Sequence, residues 1–189
     1  VQNGALAAAK TLKIVNDLLD VSMIEEGRFG YNIGNADLVS FLSDLLTNAN
    51  LMAKEYGVNL YFDKGADPSI VVRIDPAKLG MALSNIIDNA IKYNIKNGSV
   101  TVKLEKLQDK SYAQISVADT GMGIPASDVK KLFKKFFRAE NATRIRTEGT
   151  GLGLYIAKNI INRHGGNIWL ESEVGRGTKV YITLPTDPT

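Results

Sequence analysis

Asp75-Pro76 opens, and Asn85-Ile-Ile-Asp-Asn89-Ala-Ile-Lys92-Tyr93 closes, a stretch that reads as one helix with two chemically different faces. An aspartate followed by proline is an N-cap with its ring at the first helical position, where a missing N–H costs nothing. The spacing predicts a helix running to about Asn94. Leu79, Leu83, Ile86 and Ala90 share one arc and face a sheet, while Asn85, Asn89, Lys92 and Tyr93 line the neighbouring face. That polar row therefore borders the core, as either a ligand-facing edge or a plain polar helix edge.

Working outward, residues from about 5 to 26 carry apolar side chains at helical spacing in two rows, Leu12, Val15, Leu19 and Ile14, Leu18, Val21. Two adjacent rows predict a bundle helix covered from two sides. Gly27 stops it. Asn35 or Asp37 caps a second helix reaching about Tyr56, and strands are predicted over 58–62 and 70–74. Beyond the quoted helix, 100–104 and 113–118 alternate as strands around a polar turn at 108–110. Helices fit 127–137 and 152–163, and 167–172 with 178–184 form a final hairpin around Gly175-Arg-Gly177. The mixture predicts an α/β two-layer sandwich, a mixed sheet with three helices on one face, preceded by a long N-terminal bundle helix.

Three other segments carry chemistry. Asp119-Thr-Gly121-Met-Gly123-Ile124-Pro follows a strand, so its carboxylate emerges at a strand end beside a glycine turn. An ionised carboxylate only accepts hydrogen bonds, and adenine offers an amine where guanine offers a carbonyl, so Asp119 can select adenine. The tetrad alone also fits a type I turn. Gly149-Thr150-Gly151-Leu152-Gly153-Leu154 opens a helix, whose free N–H groups suit phosphate. No Gly-Lys-Ser/Thr follows, which excludes a P-loop, and the glycine spacing is wrong for a dinucleotide fingerprint. Phe133-Lys-Lys-Phe136-Phe137-Arg138 precedes a polar loop, 139–148; the phenylalanines read as anchors by burial. On the quoted helix, Asn89 can ligate magnesium through its amide oxygen when a triphosphate completes the octahedron, and Lys92 can neutralise phosphate. The Tyr93 ring can border a nucleotide.

In this order and at these intervals the four segments resemble the asparagine box, first glycine box, phenylalanine box and second glycine box of sensor histidine kinases, within the gyrase-like and chaperone-like ATPases with the Bergerat-type fold. Residues 15–27 resemble the second helix of those kinases' dimerisation and histidine-phosphotransfer hairpin. The resemblance implies ATP and Mg2+ as cofactors, with Asn89 on the metal and catalytic roles for Asn85, Lys92 and Arg138. It also implies nucleotide contacts from Tyr93, Asp119, Gly121, Gly123, Ile124, Gly149, Thr150, Gly151, Leu152, Gly153, Leu154 and Thr178. The loop 139–148 becomes a lid over ATP. Gly175, Gly177 and Thr178 match the family's last glycine segment, although a hairpin turn explains the glycines equally well.

The implied organisation is a partial dimerisation helix over 1–28 and an ATP-binding catalytic domain over 29–189. The partners are the kinase's dimerisation and phosphotransfer domain and a response-regulator receiver domain. The parent is expected to be a homodimer, placed in the cytoplasm or anchored in the inner membrane with this part on the cytoplasmic side. No histidine is followed by the acidic residue and Arg-x-Pro turn of the family's acceptor. The chain, which begins at Val1, is therefore expected to be a fragment that binds nucleotide without phosphorylating itself. The alternatives are an ATPase clamp, disfavoured because Asn85 stands where clamps place a glutamate base, and a non-catalytic nucleotide-binding scaffold.

Composition sets outer limits. The 189 residues suit one domain plus an appendage, with no cysteine for a disulfide or thiolate zinc site and a single histidine. His164 ends a helix before Gly165-Gly166, where an imidazole suits the dipole and the glycine can form the cap. The net charge of +3 conceals a local cluster, Lys130, Lys131, Lys134, Lys135, Arg138, Arg144 and Arg146. It reads either as a solvated face or as an attraction for phosphate or an acidic partner. No nucleic-acid-binding module accompanies it, and no apolar run is long enough to cross a bilayer.

Overall fold

The computed structural model describes residues 2–107, 111–145 and 149–186. Helix α1 spans Gln2–Glu25; β1 (Gly34–Asp37), α2 (Leu38–Glu55), β2 (Asn59–Asp63), β3 (Val71–Ile74) and α3 (Pro76–Lys92) follow. Then come β4 (Ser99–Leu107), β5 (Tyr112–Asp119), α4 (Ala126–Val129), α5 (Glu140–Ile145), α6 (Gly153–Arg163), β6 (Asn167–Glu173) and β7 (Gly177–Pro185). A five-stranded sheet has the order β2-β4-β5-β7-β6, with β2 and β4 parallel and the other neighbours antiparallel. It is the mixed sheet expected, and α2, α3 and α6 supply the helical layer. A separate ribbon of β1 and β3 was not foreseen.

Caps explain where the helices begin. The Asp37 carboxylate accepts from Val39 N at 3.2 Å and from Ile70 N at 2.9 Å, fixing the start of α2 to the strand behind it. Asp75 accepts from Lys78 N at 3.0 Å and Asn32 N at 2.8 Å at the start of α3. Both carboxyls are pulled below the usual range by these backbone bonds, which outweigh burial. Leu79, Leu83, Ile86 and Ala90 are buried, as the helical spacing predicted, against inward residues of the sheet such as Val102, Ile115 and Ile182.

Two expectations fail for local reasons. The helix predicted over 127–137 ends at Val129, and successive turns follow, held by Lys131 N to Asp128 O, Lys134 N to Lys131 O and Phe137 N to Lys134 O. The buried Asp128 accepts from Glu140 N at 3.2 Å and draws the chain back on itself. Phe136, expected as a buried anchor, has φ +62° and is 63% exposed. A Cβ on Gly151 would lie 2.7 Å from its carbonyl carbon, so the two backbones are in contact and the ring turns outward. Phe133 and Phe137 do pack on the core.

The loop expected over 139–148 contains the short helix α5. Arg146 and the turn predicted over 108–110 lie outside the described residues. The two apolar rows of α1 remain largely exposed, Leu12 at 62% and Leu19 at 55%, while Val21 is buried. Among the described residues no helix is long and apolar enough to cross a membrane.

Candidate functional site

One cavity of about 790 Å³ opens between α3, the segment 119–124, the turns before α5 and the start of α6. A cavity of this size holds a nucleotide-sized ligand. Asn85, Asn89, Lys92, Tyr93, Asp119, Gly123, Ile124, Arg138, Gly149, Thr150, Gly151, Leu152, Gly153, Leu154 and Thr178 all line it. Gly121 does not; it is buried behind the wall, and its N–H donates to Asp119 Oδ1 at 2.8 Å.

Asp119 sits where β5 ends. Its Oδ1 also accepts from Thr178 N at 3.2 Å, so both hydrogen bonds fall on one oxygen. Oδ2 has no hydrogen-bond partner among the described residues. Burial pushes the carboxyl up to about 6 against the opposing pull of the two amides. A donor arriving at Oδ2 would relieve that penalty.

Two of the glycines hold backbone against backbone beside Asp119. Gly123 (φ +66°) packs so tightly that a Cβ would lie 1.9 Å from Glu173 O, and Gly177 (φ +100°) stands equally close to Asp119 O. They let the ends of β6 and β7 touch the Asp119 segment, which fixes the carboxylate. Gly175 has open space around it and serves the turn alone.

On α3, Lys92 pairs with Asp88 at 3.3 Å, one turn back. The side-chain amides of Asn85 and Asn89 make no hydrogen bond among the described residues and border the cavity. An uncommitted amide oxygen at Asn89 fits a magnesium ion that takes most of its ligands from phosphate and water. Gly153 lies against Asn85, since a Cβ there would be 3.3 Å from the amide carbon. Arg138 runs alongside Gly149, its Nε 3.5 Å from where a Cβ would stand. Thr150 Oγ1 accepts from Leu152 N at 3.2 Å, which shapes the loop entering α6.

The basic cluster divides. Arg138 lines the cavity; Lys131 pairs with the buried Asp128, while Lys135 with Glu25 and Arg144 with Glu140 pair on the surface. His164 is buried at the C-terminal end of α6, one helix length from the loop 149–154 that opens it.

Several cavity residues escaped the sequence reading. Asn141 donates from Nδ2 to Gly123 O at 2.8 Å, tying α5 across the mouth. Lys13, Ile14, Asp17 and Leu18 bring α1 in as a further wall. Asp17 stands one turn from Ile14 and Val21, at the outer edge of their row, and no local pattern marks it.

The family described as histidine kinase-, DNA gyrase B-, and HSP90-like ATPase matches residues 74–188. The chain is 38% identical over 176 residues to the sensor histidine kinase WalK of Bacillus subtilis (strain 168), covering 93% of this chain and 28% of that protein. It is 33% identical over 175 residues to the circadian input-output histidine kinase CikA of Synechococcus elongatus, covering 92% of this chain and 23% of that protein. Among solved structures, a mycobacterial sensor histidine kinase, MprB, superposes with a TM-score of 0.73 at 28% identity over 82% of this chain and 100% of that one. The chain thus spans about a quarter of the length of the curated relatives it matches.

Proposed function

The chain belongs to the histidine kinase-, DNA gyrase B-, and HSP90-like ATPases, and from that premise we propose that it is the ATP-binding catalytic part of a two-component sensor histidine kinase. The intact kinase transfers the γ-phosphoryl group of Mg-ATP to a histidine on its dimerisation and phosphotransfer domain, and a response-regulator aspartate then takes the phosphate. Residues 29–189 form the catalytic domain and 1–28 the second helix of the dimerisation hairpin. The exposed apolar rows of α1 support that division, since they suit packing against another helix in a homodimeric parent. The domain works in the cytoplasm.

The observation that carries the reading is the Asp119 carboxylate, held through Oδ1 in the wall of a nucleotide-sized cavity with Oδ2 left to accept the adenine amine. The cavity's other groups take roles from their chemistry. Tyr93 and Ile124 border the base. Lys92 and Arg138 offset phosphate charge, and the loop 149–154 offers backbone N–H groups at the start of α6. Magnesium, held by Asn89, would draw charge from the phosphates. Asn85 cannot take a proton from water, which favours transfer to a histidine over hydrolysis.

Calorimetric titration with ATP and with GTP, with and without Mg2+, tests the proposal alongside Asn89→Ala and Asp119→Asn. Adenine-selective binding weakened in both variants is expected, followed by phosphorylation of a histidine hairpin supplied in trans. A wild-type chain that binds neither nucleotide would leave a fold without its ligand.

A further inference from the structure

Helix α1 lies outside the matched segment 74–188, yet it lines the cavity, and one of its lining residues is a buried carboxylate. Asp17 is 7% exposed. Its Oδ2 accepts from Thr150 Oγ1 at 2.9 Å, across 133 residues of chain, and its Oδ1 lies 3.7 Å from Lys13 Nζ. Thr150 is also the residue whose hydroxyl receives Leu152 N and shapes the loop that enters α6. That hydroxyl therefore links the phosphate loop to α1. Of the other carboxylates in the cavity wall, Asp88 is paired with Lys92, and Asp119 is bound by the amides of Gly121 and Thr178.

We infer that Asp17 is a positioning residue that fastens the phosphate loop to α1 and opposes the terminal phosphate, so that triphosphate binding and docking of α1 compete. The inference rests on the nucleotide reading above. A carboxylate beside the phosphate loop repels a triphosphate more than a diphosphate, and an uncharged nucleoside not at all. Lys13 offsets part of this but is itself more than half exposed, and therefore screened. A phosphate that draws the Thr150 hydroxyl toward itself takes it from Asp17. The loop then holds its ligand at the expense of its grip on α1, and the helix that packs on the catalytic layer at rest is loosened when ATP arrives.

The test compares ATP, ADP and adenosine binding by calorimetry in the full chain, with and without Mg2+, for wild type and Asp17→Asn. Asparagine keeps an oxygen for the Thr150 hydroxyl and removes the charge. ATP is expected to bind about fivefold tighter in the variant, ADP about twofold, and adenosine unchanged, with the gradient steeper without Mg2+. Amide hydrogen exchange across residues 13–21 gives the second readout. Saturating ATP should speed it in wild type, Thr150→Val should speed it without ligand, and Thr150→Ser should restore it. An equal shift for all three ligands in Asp17→Asn, or no shift, would overturn the inference while leaving the nucleotide site standing. So would weakening of ATP alone in Mg2+, which would make Asp17 a metal-facing group, or exchange in α1 indifferent to ATP. Wild-type protein that binds none of the three would remove the nucleotide reading and this inference together.

Discussion

His164 fastens the end of α6 to the beginning of α3: its Nε2 accepts the Asp75 amide at 2.9 Å, and its Nδ1 hydrogen-bonds Ile160 O at 2.7 Å. Nε2 is thus the acceptor and Nδ1 the donor. The imidazole sets the relative placement of the two helices that carry Asn89 and the phosphate loop.

Replacing it should therefore damage stability before function. His164→Ala leaves the buried Asp75 N–H without a partner and opens a cavity, and is expected to cost about 2–4 kcal/mol. Urea unfolding checks this. The folded fraction should retain its ATP affinity, and no phosphate should form on His164 of the wild-type chain.

Asp119 trades stability for recognition. Its folded carboxyl titrates near 6 against an ordinary 3.8, so the folded state binds the proton more tightly than the unfolded chain. Ligand-free stability is accordingly greatest below about pH 4 for this group and falls as pH rises to about 6, by up to ~3 kcal/mol. Asp119→Asn escapes that penalty. At pH 7.5 the ligand-free variant should melt several degrees higher than wild type, roughly 2–4 °C per kcal/mol for a chain of this size, while losing adenine binding. Thermal melts with and without ATP separate the two effects.

The same group makes recognition depend on pH. Only the ionised carboxylate leaves Oδ2 as an acceptor, so ATP affinity should be level above about pH 7 and fall about tenfold per unit below pH 6. Titrations across pH 5 to 8 check it, and a level profile in wild type would remove Asp119 from the base contact.

Gly177 and Gly175 form a matched pair. Both have positive φ, but only Gly177 faces backbone, the carbonyl of Asp119. Gly175→Ala should cost about 1 kcal/mol, the ordinary strain of a left-handed residue. Gly177→Ala should cost about 3 kcal/mol or more and displace Asp119, weakening ATP binding as well. Chemical unfolding and calorimetry of the two variants side by side give the comparison.

Turnover is expected to be small. With an amide at position 85, release of phosphate from ATP by this chain alone should stay near the uncatalysed background in a coupled assay with Mg2+.

The sequence by itself determined the layers and the main walls of the cavity. Apolar periodicity on α3 and alternation in β4, β5 and β7 are local patterns, and Asp37, Asp75 and Pro76 are local caps, so each could be read within one or two turns of chain. The boxes around Asn89, Asp119 and Gly151 were legible for the same reason. What only the tertiary structure decided has no local signature. Gly177 owes its identity to a carbonyl 58 residues earlier, Phe136 faces outward because Gly151 occupies the space behind it, and Asp17 is buried because Thr150 meets it. Each of those outcomes is set by a partner distant in sequence, and close packing, not helical or strand propensity, selects it.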